Sequence, residues 1–287
     1  MVEKWRDSMD SYRLSSLSEM FGVEKPIIGM VHLPPLPGSL GYTGYSMRDL
    51  IDFALEDARR LVSGGVNGLI VENMWDLPYS VGKDVSPTQM CCQATAAHEI
   101  VKAFDVPVGI NVVHNGGTVT LGIAIAAEAS FVRVCLLTGA QIWDTGEIDH
   151  GCARDILTAR RYAEAENIKL FADVDKKHSV RFSGIDLETH IEWTDFYLAD
   201  ALIVSGKMTG AAPDLEKVKR AREATGGKRP ILMGSGTNPD NIGGFLEYAD
   251  GAIVGSSLKE GDRSENRVDK KKVEEYVNAV KKVRQRL

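Results

Sequence analysis

From Ile27 onward the chain repeats one unit: a short, nearly unbroken apolar run, a break rich in polar residues, glycine or proline, then a stretch of helical period. The apolar runs are Ile27–Leu33, Gly68–Val71, Val106–Val113, Phe131–Leu137, Lys169–Val174, Ala201–Ser205, Ile231–Met233 and Ala252–Val254. Helices are predicted over Met47–Ser63, Thr88–Phe104, Thr118–Glu128, about Cys152–Ala165, Leu187–Tyr197, Leu215–Ala224 and Val273–Val283. In the first of these, Leu50, Phe53, Ala54, Ala58 and Leu61 fall on one stripe, the face a helix turns to a core. Gly64-Gly65 stops that helix, and Pro34, Pro35 and Pro37 end the first apolar run because proline cannot continue a ladder. Runs that are apolar throughout mark strands buried on both faces, as in a parallel sheet. Strict alternation at this length predicts a closed α/β structure, a (β/α)8 barrel, with an open doubly wound sheet as the alternative. Residues 1–25 are mixed, with Tyr12, Leu14, Leu17, Met20 and Phe21 at roughly helical spacing. They read as an N-terminal helical extension that closes the bottom of the barrel or packs on a partner subunit. No linker or low-complexity segment divides residues 26–287, which read as one domain.

Composition narrows the functional classes. With 287 residues, 44% of them hydrophobic, the chain can bury one large core. Its net charge of −6 argues against nucleic acid as the main partner, because a phosphate backbone needs a basic stripe. Cys91, Cys92, Cys135 and Cys152 form neither a CxxC pair nor a zinc-finger spacing, which suits reduced thiols in the cytoplasm. No apolar run approaches the roughly 18 residues that span a bilayer, so a soluble cytoplasmic protein without an integral membrane segment is expected. No dinucleotide fingerprint occurs, and NAD is not implied.

Two segments near the end carry the sharpest chemical signal. Gly234-Ser235-Gly236-Thr237 and Gly255-Ser256-Ser257 each follow a short strand and precede a helix-like segment. Adjacent parallel strands ending this way form a cup of backbone N–H groups suited to phosphate, the site found after the seventh and eighth strands of such barrels. The barrel's active face is the C-terminal ends of its strands. There the chain places His32, Glu72, Asn111, His114, Arg133, Asp173, Asp175, Lys177, His178, Ser205 and Lys207. Period two puts Asp173 and Asp175 on one face of their strand, with Asp175 above Asp173 at the rim. Asp173 and Glu72 are the expected acid and base, with His32 and His178 as proton carriers or metal ligands; Lys177, a further catalytic candidate, and Lys207 would bind phosphate or carboxylate, or form a Schiff base with a carbonyl substrate; alternatively, Asp173 pairs with Arg133 or Lys177 as a buried ion pair. Asp173, Asp175 and His178 are candidate ligands for a divalent metal. Asn111, Arg133, His114, Ser205 and Lys207 are candidate substrate-binding groups. Trp75 and Trp143 fall in loops that could cover the mouth, over a sugar or base.

Several segments together resemble one family. Ile28-Gly29-Met30-Val31-His32-Leu33-Pro34-Pro35-Leu36-Pro37-Gly38-Ser39 looks like its opening signature. Val71-Glu72-Asn73, Phe171-Ala172-Asp173-Val174 with Lys177-His178, and Asp250-Gly251-Ala252-Ile253-Val254-Gly255 with Ser257-Leu258-Lys259 look like others. The chain resembles the BtpA family, which takes in photosystem I biogenesis and sugar-operon (SgcQ) proteins, over about residues 26–284. The resemblance implies a TIM barrel related to the ribulose-phosphate-binding group. This chain departs from the family pattern at His114-Asn115-Gly116, at Cys135 and at Ser205-Gly206-Lys207. His114 and Lys207 would there supply positive or hydrogen-bonding groups in place of an arginine. The expected function is an isomerase, epimerase or lyase acting on a small phosphorylated molecule, with a homo-oligomer expected for barrels of this group. A non-enzymatic assembly factor or ligand-binding regulator is the alternative.

Overall fold

The structure, a computed structural model, describes residues 10–80, 82–182, 184–206 and 213–286. Eight parallel strands close into a barrel: β1 (Ile27–His32), β2 (Gly68–Glu72), β3 (Val108–Asn111), β4 (Phe131–Val134), β7 (Lys169–Asp173), β9 (Ala201–Val204), β10 (Ile231–Met233) and β11 (Gly251–Val254). The closed ring excludes the open sheet. Helices α2 (Met47–Gly64), α3 (Pro87–Ala103), α4 (Thr118–Ala127), α5 (Ala153–Tyr162), α6 (Leu187–Phe196), α7 (Leu215–Thr225) and α9 (Lys270–Arg284) alternate with the strands. Two single turns, α1 (Ser18–Phe21) and α8 (Ile242–Phe245), complete the helices among the described residues. Ser46 and Ser86 start α2 and α3 with capping boxes, each accepting from the third helical N–H while that residue's side chain bonds back.

Inside the barrel, period two sorts each strand into levels. The lower level is apolar: Ile28, Met30, Ile70, Phe131, Phe171, Ala201, Ile203, Leu232 and Ile253 pack together. Phe131 and Phe171 stack at 4.6 Å, and Phe21 meets Phe131 edge-on at 5.8 Å. With Leu14 and Leu17, Phe21 closes the barrel floor. Gly109 is required beside Phe131, whose ring would lie 2.2 Å from an added Cβ.

One step further along the inward face of the strands come His32, Glu72, Asn111, Arg133, Asp173, Ser205, Gly234 and Gly255. The pairing His32–Glu72, Glu72–Asn111 and Asn111–Arg133 sets four of them side by side. The polar strand ends therefore form one ring over an apolar floor. A second sheet of antiparallel strands lies outside the barrel order: β5 (Ala140–Trp143) between β6 (Ile148–His150) and β8 (Ser179–Arg181). The sequence pattern had assigned these residues to loops; their three- and four-residue strands are too short to show a period. No helix among the described residues is long and apolar enough to cross a membrane.

Candidate active site

The polar ring divides into two halves. On the β4–β7–β9 side the strand-end groups Arg133, Asp173 and Ser205 are paired. Arg133 donates from Nε and from Nη2 of its guanidinium to the two oxygens of Asp173, both at 2.9 Å. Lys176 reaches the same carboxylate at 3.4 Å, and the Ser205 hydroxyl donates to it at 3.3 Å. Asp173 is fully buried. Burial opposes its ionisation, but Arg133 and then Lys176 outweigh it and hold the carboxyl below its usual range. Burial likewise opposes the charge on Arg133, and Asp173 reverses the balance, so the guanidinium stays protonated. The sequence paired Asp173 with Glu72 as acid and base, or else with Arg133 as an ion pair; the geometry is that of the ion pair, with both oxygens occupied.

The β1–β2 side is less complete. Asn111 donates to Glu72, whose other oxygen lies 3.7 Å from His32 Nε2. Burial opposes ionisation of Glu72, while His32, Arg133, Lys176 and Lys177 together hold it below the usual carboxyl range. His32 Nδ1 lies 3.2 Å from the Ser264 carbonyl oxygen. That contact needs the proton on Nδ1 and leaves Nε2 an acceptor facing Glu72. Burial, with the nearby Lys259, lowers the His32 pKa to about 4, so the ring is neutral near pH 7. The half-buried Lys177 has no hydrogen bond or ion pair among the described residues. Burial first, then Lys176 and Arg133, bring its pKa down to about 8.

Next to these groups the two glycine-rich turns face each other. Gly234–Thr237 and Gly255–Ser257 line one cavity together with His32, Glu72, Arg133 and Lys177. Gly234 has no room for a side chain, because a Cβ would lie 2.3 Å from Ser205 Oγ. Gly236 sits at φ +74°, in the left-handed region that favours glycine. Ser257 Oγ donates to the Thr237 carbonyl, and Tyr276 on α9 donates to Thr237 Oγ1 at 2.8 Å. The backbone N–H groups of Gly236 and Thr237 have no acceptor among the described residues, and Ser256 and Ser257 open a 3-10 turn, whose first N–H groups lack partners. The buried Ser235 hydroxyl is also unpaired.

A larger cavity of about 430 Å³ adjoins this one, sharing Glu72, Met74 and Lys177 with it. His114 lies in its wall, stacked on Trp143 at 4.0 Å and tilted against Tyr79 at 4.8 Å. Burial lowers the His114 pKa to about 4, so it contributes a neutral ring rather than the positive charge considered from the sequence. Trp143 gets there on β5, which the sequence pattern missed; Tyr79 and Ser264 were also missed, because neither belongs to a periodic segment or a motif. Lys259 belongs to a segment that carries the family resemblance and Lys176 precedes Lys177 in the chain, but only the folded chain separates their surroundings from those of Lys177. Lys259 is buried, and its pKa is lowered to about 8 chiefly by burial.

The three candidate metal ligands are not brought together. Asp173 is held by Arg133. The strand ends at Asp173, and Asp175, at φ +72°, turns away to pair with Arg181 and Lys217 instead of standing above Asp173. His178 Nδ1 lies 3.2 Å from Asp144 at the outer rim. No cluster of three or more His, Cys, Asp or Glu suited to a metal occurs among the described residues. Lys207 lies outside the described residues.

Solved structures with this fold include thiamine phosphate pyrophosphorylase from Pyrococcus furiosus, at 15% identity and TM-score 0.55 over 90% of this chain and 96% of that one. N-(5′-phosphoribosyl)anthranilate isomerase from the same organism gives 13% identity and TM-score 0.53 over 90% and 99%. In sequence, an uncharacterised protein of Pyrococcus abyssi is 38% identical over 91% of this chain and 97% of its own length. The photosystem I biogenesis protein BtpA of Synechocystis is 36% identical over 92% and 91%. The profile of the BtpA family matches residues 23–282, and this TIM-barrel chain belongs to the BtpA family.

Proposed function

We propose that the protein is an enzyme acting on a phosphorylated sugar or related phosphometabolite at the C-terminal face of its barrel. One observation carries the reading: an ionised Glu72, a neutral His32 and an unpaired Lys177 border the same cavity as two turns of free backbone N–H groups. The turns would hold the phosphate by charge-assisted hydrogen bonds, with Lys177 adding a positive charge. Glu72 would take a proton from the carbon next to a substrate carbonyl. Lys177 would return one, and Asn111 would hold Glu72 in place. That chemistry defines isomerases, epimerases and lyases, and it needs no redox cofactor. Arg133 and Asp173 would frame the site and keep its field positive. The names of the two fold neighbours, a thiamine phosphate pyrophosphorylase and a phosphoribosylanthranilate isomerase, agree with a phosphorylated ligand.

The test is thermal unfolding titrated with phosphosugars, with inorganic phosphate as competitor. A ligand at 100 times its dissociation constant should add about 2.7 kcal/mol of stability. The Gly236→Leu variant should lose that shift, because leucine strains the left-handed backbone of the turn that carries the free N–H groups. If no phosphorylated compound shifts the transition, the weight moves to the second reading, a non-enzymatic assembly or regulatory protein. The name of the 36% identical Synechocystis relative favours that second reading.

A further inference from the structure

The larger cavity is of the wrong kind for a bare phosphosugar. A sugar phosphate presents hydroxyls and charge, and its binding site should offer matching polar groups. Here most of the surface that the walls expose is apolar, from Met74, Trp75, Leu77, Tyr79, His114 and Trp143, although Glu72, Asp144, Thr145, Lys176, Lys177, His178 and Ser264 also belong to the lining. The rings are held in place. Tyr79 donates its hydroxyl to the Met74 carbonyl at 2.7 Å, and Trp143 donates to Asp149 at 3.3 Å. His114 and Trp143 lie within 5° of parallel. Trp143 and His114 are buried and form the back of the wall, while Trp75, Tyr79 and Met74 keep part of their surface open to the cavity. Rings fixed before a ligand arrives lose little freedom when it binds, which favours stacking of a flat, apolar group.

The position of the cavity supplies the rest. Glu72, Met74 and Lys177 line both it and the glycine-rich cup, so the two spaces meet at the proposed proton-transfer groups. A ligand filling both would have its phosphate on Gly234–Thr237 and Gly255–Ser257, its sugar between Glu72 and Lys177, and a flat ring among the aromatic side chains. From this geometry we infer that the substrate is a sugar phosphate bearing a planar aromatic or heteroaromatic ring. The inference rests on the phosphate reading above and narrows it. The bond change falls at the sugar carbons joining phosphate arm to ring, because these lie beside Glu72 and Lys177. Asp144, Thr145, Lys176 and His178 also line the cavity, with Lys176 held by Asp173 and His178 paired with Asp144.

The test compares three kinds of probe by calorimetric titration: ribose 5-phosphate, a panel of purine and pyrimidine nucleoside 5′-monophosphates, and the matching nucleosides without phosphate. At least one ring-bearing phosphate should bind about tenfold or more tighter than ribose 5-phosphate, the order of one base–aromatic stack. Trp75→Ala, at a half-buried position, should remove that advantage and leave ribose 5-phosphate binding unchanged. Trp143→Phe, which keeps a ring in the buried wall, serves as the second variant and should lower the advantage in part. Ring-bearing phosphates that all bind no tighter than ribose 5-phosphate overturn the inference and leave the phosphate cup standing. So does a Trp75→Ala variant that weakens every phosphate compound equally. Nucleosides that bind as tightly as their monophosphates overturn the phosphate cup, and with it the joined substrate.

Discussion

The two halves of the barrel mouth use similar side chains to opposite ends. On the β4–β7–β9 side, Arg133, Asp173, Lys176 and Ser205 satisfy one another, and the carboxylate has donors on both oxygens. In the loop after β7 and across the cup, Lys177, Ser235 and several backbone N–H groups lack partners among the described residues. Burying an unpaired polar group costs free energy, so the second half is incomplete without a ligand, and the first is complete without one. A charged residue at a barrel mouth is therefore informative only together with its partners. Asp173 and Glu72 stand in one ring of strand ends, yet one is committed to the protein and the other faces the cavity.

The largest break in this contrast should come from Arg133→Met. It leaves Asp173 buried with reduced compensation, which typically costs about 3–5 kcal/mol. Chemical denaturation should register the loss, and an unchanged midpoint would remove the distinction between the halves. Next comes a pH test of the incomplete half. Lys177 gives up its proton near pH 8 in the folded protein, against an ordinary value of 10.5. The unfolded chain therefore holds more protons between these values, and this group favours folding increasingly as pH rises from about 8 to about 10.5. Lys177→Met should exceed wild type in melting temperature at pH 7, and the margin should shrink over that window. A constant margin would show that Lys177 is not strained by its surroundings.

A smaller effect is expected from Tyr276→Phe, which removes the hydrogen bond to Thr237 beneath the cup. It should cost about 1 kcal/mol of stability and a few-fold in phosphate affinity. Loss of stability alone would limit Tyr276 to packing. The smallest change in stability should come from Glu72→Gln, within about 1 kcal/mol, because Glu72 ionises against its burial and has weaker partners than Asp173. Turnover should nevertheless disappear. A Glu72→Gln variant as unstable as Arg133→Met would place Glu72 among the structural groups.

The barrel was legible in the chain because its signal is repeated. Continuous apolar strands such as Phe131–Val134 and stripes such as Leu50–Leu61 indicate the same architecture. The glycines of the cup were named from the sequence too, but the crowding of Gly234 against Ser205 on the neighbouring strand and the left-handed backbone of Gly236 belong to the fold. The small sheet was not, because β5, β6 and β8 are too short to show a period, and β8 pairs with β5 from a distant part of the chain. Trp143 was expected in a loop over the mouth, but its strand and its stacking on His114 came only with the fold.

Residue types and their order alone determined that polar groups would gather at the ends of parallel strands, since period two carries each strand from apolar floor to polar mouth. Only the tertiary structure decided what each group does there. Arg133 lies across from Asp173 and not from Glu72, Asp175 turns outward at the strand end, and Lys177 reaches the cup without a partner. Ionisation and pairing depend on distances of a few ångströms between segments tens of residues apart, and no local pattern encodes those distances.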